Sequence, residues 1–207
     1  MKELDLLKKD WQKSGNSFEQ VSEMEIYKML HKKSSSVVKW ILIVSILEFV
    51  ILNGISLLIN DETYDKIMNL HPYLGVIEKV NYLIIIVFIY LFYRNYKTIS
   101  VLESSKSLLE HILKTRKIVT YYIYWNIIIG GFSGGFGAVE SFNDGYNFEQ
   151  PENARKIIEE NGITLLISML FIMGFLWLFY KLLYGSFLRK LKDNYKELKK
   201  IDLQKEG

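Results

Sequence analysis

The sequence predicts an all-α, polytopic membrane protein with four transmembrane helices and cytosolic helical extensions, and three observations carry that prediction. Half of the 207 residues are hydrophobic and 24% are charged, but the two kinds lie in alternating blocks instead of being blended as in a soluble globule. Four stretches of the chain are nearly free of charge. The lysines and arginines between those stretches alternate between many and few.

A helix rises about 1.5 Å per residue, so about 20 apolar residues cross the hydrocarbon of a bilayer. Spans are expected at 37–59, 76–96, 118–139 and 161–184. The second is the marginal one: only the residues between Lys79 and Arg94 are free of charge, so the helix must borrow Leu74 to Ile77 or let both basic side chains snorkel. Outer loops fall at 60–75 and 140–160, and a helical loop falls at 97–117. The N-terminal region, 1–36, reads as amphipathic helices, and 188–207 reads as a separate basic C-terminal helix.

Orientation follows the basic residues, which are enriched on the cytoplasmic side. Eight lie at or before Lys39, two in 60–79, six in 94–117, two in 140–160 and eight from Lys181 onward. Both termini and the middle loop are therefore expected in the cytoplasm, as in a multi-pass protein of a bacterial inner membrane. The opening MKELDLLKKDWQK has no apolar core, so a cleaved signal peptide is not expected. The aromatic clusters Tyr90, Phe92, Tyr93 and Tyr96, and Tyr121, Tyr122, Tyr124 and Trp125, are expected at the inner interface.

Ser22 and Glu25 have the spacing of a capping box, with Val21 and Ile26 as a hydrophobic staple, so a helix should start near Glu23 and run into the membrane as one rod. Before it, Leu4, Leu7 and Trp11 share a helical face, and Ser14-Gly15-Asn16-Ser17 makes a break. The middle loop carries an apolar stripe of Ile99, Leu102, Leu109, Ile112 and Leu113, and the tail one of Phe187, Leu191, Tyr195, Leu198 and Ile201. These stripes either pack on one another as an extension of the bundle or present a docking surface to a cytosolic protein. The candidate docking residues are Leu7, Trp11, Ile26, Leu30, Leu102 and Leu109. Basic residues are interleaved with acidic ones and the formal net charge is only +3, so nucleic acid is not an expected partner. The lipid bilayer is, and a second copy of the chain is a further candidate.

Glu48 is the one acid deep inside a span, where a carboxylate is costly unless it is paired, neutralised or wetted. Asn53, Asn81 and Asn126 lie in or at the edges of the spans and complete a candidate intramembrane polar site. A satisfied network is expected there, in which Glu48 donates to Asn126 or to a tyrosine such as Tyr90; a proton- or ion-coupled site is the alternative. Gly130 and Gly134, then Gly131 and Gly135, with Gly137 beyond them, form small-xxx-small pairs that let a neighbouring helix approach closely, although an irregular outer end is also open to this segment.

Catalytic, cofactor and metal residues are not expected. Gly131-Phe132-Ser133-Gly134-Gly135 matches a nucleophile elbow, but a membrane helix precedes it where a strand is needed. The chain has no cysteine, and its three histidines lie far apart in sequence, without a metal-binding array. The outer acidic segment around Asp144 and Glu149 lacks calcium-loop spacing.

DLLKKDWQ at Asp5 to Gln12, EIYKMLHKKSSSVVKWI at Glu25 to Ile41, and LKTRKIVTYYI at Leu113 to Ile123 resemble a family of uncharacterised four-span membrane proteins of Bacteroidota. Genes of that family lie beside a sigma-70-type factor, so the resemblance implies a membrane-held regulator. Some members carry a carotene-oxygenase label, which this chain cannot support, because three histidines do not make that enzyme's four-histidine iron site. The expected function is thus non-enzymatic: a membrane-anchored regulatory or scaffold protein docking a cytosolic partner. The rival expectation is a small transporter or channel subunit in which Glu48 titrates.

Overall fold

A computed structural model describes residues 22–58, 65, 68–69, 71–101, 104–144 and 153–206, with side chains over 22–55, 65, 68–69, 71–100, 104–138 and 162–203. The described residues form four long helices: α1 (Glu23–Leu58), α2 (Pro72–Val101), α3 (Ser105–Asp144) and α4 (Asn153–Glu206). The expected all-helical fold is what the chain adopts. Three of these helices, α1, α2 and α4, are long and apolar enough to cross a membrane. The mean hydropathy of α3 falls short because Tyr121, Tyr122, Tyr124, Trp125 and Asn126, followed by glycines, dilute its isoleucines.

Helix starts are set locally. Glu25 Oε2 accepts from the Ser22 backbone N–H at 2.9 Å and from its hydroxyl at 3.1 Å, while the Glu25 N–H donates to Ser22 Oγ at 3.2 Å. This is the reciprocal capping box, and α1 begins at Glu23 and runs on as one rod. Pro72 occupies the first position of α2, where a missing N–H costs nothing. Leu74 to Ile77 belong to α2, so the short second apolar run does extend through them.

The expected helical loop 97–117 takes in the end of α2 and the beginning of α3, with 102 and 103 outside the described residues. Helix α4 is one 54-residue helix that runs on through 187 into the basic tail, and α1 passes unbroken from 36 into 37, the single rod that was expected. In α1 continuous helix is favoured because neither Pro nor Gly falls near residue 36, and α4 stays helical through Gly185. Helix α3 also stays regular through Gly130 to Gly137, which removes the irregular alternative.

Residue pairs fix the topology. Phe49 meets Tyr82, Trp125 meets Asn81, His71 meets Phe136, and Glu48 meets Tyr180 and Tyr184, so each helix runs antiparallel to the next. The cyclic order is α1, α2, α3, α4, with α4 closing against α1 and the α3–α4 pair the most extensive. This is an up-down-up-down bundle.

Its two ends differ. Where α1 begins, α2 ends, α3 begins and α4 ends, here called the basic end, Leu30, Val38, Ile41, Ile99, Leu108, Ile112, Leu191 and Leu198 form one buried core. At the opposite, glycine end only a few residues such as Leu74, Ile127 and Phe136 are buried, and large apolar side chains such as Leu83, Leu166, Leu170 and Phe171 point outward. Outward apolar side chains on helices of this length are what lipid contact requires. Hydroxyls on these helices bond back to their own backbone: Ser45 to the Leu42 carbonyl at 2.8 Å, Thr115 to that of His111 at 2.8 Å and Thr120 to that of Arg116 at 2.9 Å.

Candidate polar site inside the bundle

Glu48 lies in the second half of α1 and is 9% exposed. Its Oε1 accepts from the Tyr180 hydroxyl and its Oε2 accepts from the Tyr184 hydroxyl at 2.8 Å. Tyr180 and Tyr184 stand one turn apart on α4, their rings stacked at 6.0 Å, so a single helix face presents both donors to one carboxyl group. Tyr122 of α3 closes the cage edge-on, 6.3 Å from Tyr180 and 5.9 Å from Tyr184. Phe88 and Phe92 of α2 back Tyr122, each at 5.5 Å. All four helices therefore meet at this level, and a deep acceptor is matched by two hydroxyl donors.

The expected partners of Glu48 are corrected. The Asn126 amide donates instead to the Tyr122 backbone carbonyl at 2.8 Å, and Tyr90 is 59% exposed and turned away. Phe92 and Tyr122, expected among interfacial aromatics, belong to the sealed core, whereas Tyr90, Tyr93, Tyr121 and Tyr124 are exposed as that expectation has them. Asn53 donates to the Phe49 carbonyl at 2.6 Å. Asn81 reaches across helices, its Oδ1 accepting from Trp125 Nε1 at 2.9 Å.

The four polar residues are nonetheless brought together around one space. A cavity of about 200 Å³ is lined by Glu48, Asn53, Asn81, Tyr82, Tyr122 and Asn126 among others. A second, of about 360 Å³, shares Leu52, Asn81, Tyr82 and Asn126 with it and extends past Glu78, Ser133 and Gly137 toward the glycine end. Glu78 accepts from the Tyr82 hydroxyl at 2.7 Å, and Tyr82, Asn81 and Asn126 give the two cavities a shared hydroxyl- and amide-bearing wall. Ser133 is an exposed residue on this wall.

The glycine face lies against α4. A Cβ at Gly130 would come within 2.7 Å of Leu176, and one at Gly134 within 3.3 Å of Ile172. One at Gly131 would collide with Met173, and one at Gly135 would collide with Met169 and come within 3.1 Å of its backbone Cα. Gly137 meets nothing within 4 Å and so is no part of the contact.

Of the candidate docking residues, Leu30 is 2% exposed and belongs to the internal core, and Ile26 and Leu109 are partly buried against that core. Leu7, Trp11 and Leu102 lie outside the described residues. Sequence reading missed Tyr180 and Tyr184 as carboxylate partners, although YKLLY places two hydroxyls on one face at the end of an apolar run. It also missed buried Asn194, whose amide donates to the buried Ser34 hydroxyl at 3.1 Å and ties α4 to α1 again. Among the described residues no group of acidic or histidine side chains is arranged to hold a metal ion.

No curated protein and no solved structure matches the chain. Residues 24–203, which take in all four helices, match the profile of a family described as Domain of unknown function (DUF8845), and the chain belongs to that family.

Proposed function

We propose that this protein is a four-span integral membrane protein of a bacterial inner membrane, with both termini cytoplasmic, and that it acts without catalysis as a membrane-anchored regulatory or scaffold protein docking a cytosolic partner. In this reading α3 is the fourth span, in which Gly130, Gly131, Gly134 and Gly135 lie against α4 and Trp125 is bonded across to Asn81 of α2. The observation that supports the role is the α1–α4 seam. Glu48 is bonded to Tyr180 and Tyr184 at one level, and Ser34 is bonded to Asn194 about 21 Å away at about 1.5 Å per residue. Buried cross-helix bonds at two depths hold the long basic end in a fixed relation to the spans. With Leu30 internal, the docking elements are the segment carrying Leu7 and Trp11 and the exposed Met24 and Leu113. Proximity of the resembling family to sigma-70-type factors makes a cytosolic regulator the candidate partner.

The cavity beside Glu48 favours a second reading, a small transporter or channel subunit in which Glu48 is the proton or ion site. Against it stands the solid core beneath, because a conducting path must open at both ends and Leu30, Ile99, Leu108 and Ile112 close this one.

The test is purification of the tagged, full-length protein from native membranes in mild detergent, beside a variant lacking residues 1–17 and a Glu48→Gln variant. A stoichiometric cytosolic protein that is lost with residues 1–17 and kept in Glu48→Gln is the expected result. A protein that comes alone, and whose proton uptake in liposomes disappears in Glu48→Gln, replaces docking with transport.

A further inference from the structure

A groove of about 640 Å³ lies between α1 and α4 at the basic end. Lys32 and Lys33 line it from α1, and Lys190 and Asp193 from α4, with Ser36 and Asn194 as neutral polar neighbours. Three ammonium groups against one carboxylate leave the wall with two excess positive charges. A compact anion with several acceptor oxygens, a phosphate ester, is the ligand chemistry that such a wall recognises.

Depth selects the source of that phosphate. Ser36 lies about 18 Å along α1 from mid-span Glu48, which is just outside the half-thickness of about 15 Å of a hydrocarbon core. The groove therefore sits at headgroup level. Its α1 wall continues toward the bilayer along the stripe Met29, Lys33, Ser36 and Trp40, at helical spacing, and Trp40 is 53% exposed. Its α4 wall continues from Lys190 to exposed Leu182 and Phe179, two and three turns deeper on the same face. A charged pocket that opens onto two exposed apolar stripes fits a molecule with a phosphate head and acyl tails.

We propose that the α1–α4 groove at the basic end binds the phosphate of an anionic phospholipid, with Lys33 and Lys190 as its principal contacts. The site rests on the reading of α1 and α4 as membrane spans and is independent of any docking role. Bound lipid would brace the same seam that Ser34 and Asn194 join.

The experiment is a native mass-spectrometric titration of the full-length protein, in neutral detergent, with phosphatidylglycerol and with phosphatidylcholine. Wild type should retain phosphatidylglycerol in preference, and Lys33→Gln/Lys190→Gln should bind it about thirtyfold more weakly, the effect of two headgroup-level charges. Lys33→Arg/Lys190→Arg should retain it. Lys196→Gln/Lys199→Gln, which removes exposed charge outside the groove, should leave it unchanged. Equal weakening in both glutamine pairs, or none in either, overturns the site. Displacement of the lipid by inorganic phosphate overturns the lipid source and assigns the groove to a soluble phosphate. Extraction of the protein from membranes by alkaline carbonate would instead defeat the span reading, separately from the groove.

Discussion

At the basic end of the bundle Leu30, Ile99, Leu108, Ile112, Leu191 and Leu198 are sealed against one another, whereas toward the glycine end Leu83, Leu166 and Phe171 face outward and polar cavities open between the helices. The same residue type thus does opposite work a few turns apart. In water, a leucine gains from burial, so helices leaving a bilayer must pack into a closed core. In lipid, leucine against leucine gains little over leucine against acyl chain, so on the proposed four-span reading association relies on close backbone approach and buried polar bonds, here the glycine face of α3 and the Glu48 cage. The contrast teaches that hydrophobicity alone does not locate the core of this protein; its surroundings do.

The sharpest way to break the comparison is a matched pair of leucines. Leu108→Ala removes a fully buried side chain at the basic end and should destabilise by about 2–5 kcal/mol. Leu83→Ala, at a position 62% exposed, should change stability by less than about 0.5 kcal/mol. Thermal unfolding in a single detergent, or in lipid nanodiscs, reads both. Similar losses at the two sites would mean that the outward face of α2 is covered by something other than lipid.

Next in size is the glycine seam. Gly131→Leu forces a side chain into the space that Met173 fills and should cost about 1–3 kcal/mol, while Gly137→Leu, with nothing within 4 Å, should be close to neutral. If both are neutral, α3 and α4 are not held by close approach. Tyr184→Phe tests the other means of association. It removes one donor from a buried carboxyl group and should destabilise by about 1–3 kcal/mol, with Tyr90→Phe as the neutral exposed control.

Much of this fold is written in short-range chemistry. Ser22 and Glu25 announce the start of α1 three residues apart, and apolar runs announce the membrane-length helices, because each signal is satisfied within a turn or two, whereas Pro72, inside the expected outer loop 60–75, proves to open α2. Of the stripes at 99–113 and 187–201, Ile99, Ile112, Leu191, Leu198 and Ile201 are core residues of the basic end, for the same periodic reason, while Leu113 is exposed and the buried Leu108 lies outside the expected stripe. Partners of Glu48 were not legible: they are tyrosines 132 and 136 residues away, and only the packing of α4 on α1 selects them over Asn126 and Tyr90. Nor could apolar spacing separate Leu30, which is internal, from a free docking face. An amphipathic stripe looks the same whether its partner is in the same chain or in another.

Acid provides the finest test, since among the described residues the two groups outside the proposed spans with shifted titration, His111 and Glu25, sit at the basic end. Burial, aided by Lys114 and Arg94 and opposed by Glu110, holds the His111 imidazole below its ordinary value. The unfolded chain then takes up that proton before the folded one does, so the contribution is complete above the ordinary histidine range and shrinks as pH falls through it. Glu25 is held below its ordinary carboxylate value chiefly by its hydrogen bonds from the backbone and hydroxyl of Ser22, and its contribution persists until pH falls through the carboxylate range. Acidification should therefore weaken the basic end in two separate windows, histidine first. Melting temperature followed against pH should lose its upper step in His111→Gln and keep its lower one. Hydrogen exchange at the first turn of α1 should show the lower step alone, absent in Glu25→Gln, which removes the titrating carboxyl group. A single step that survives both substitutions would place the acid sensitivity outside the basic end.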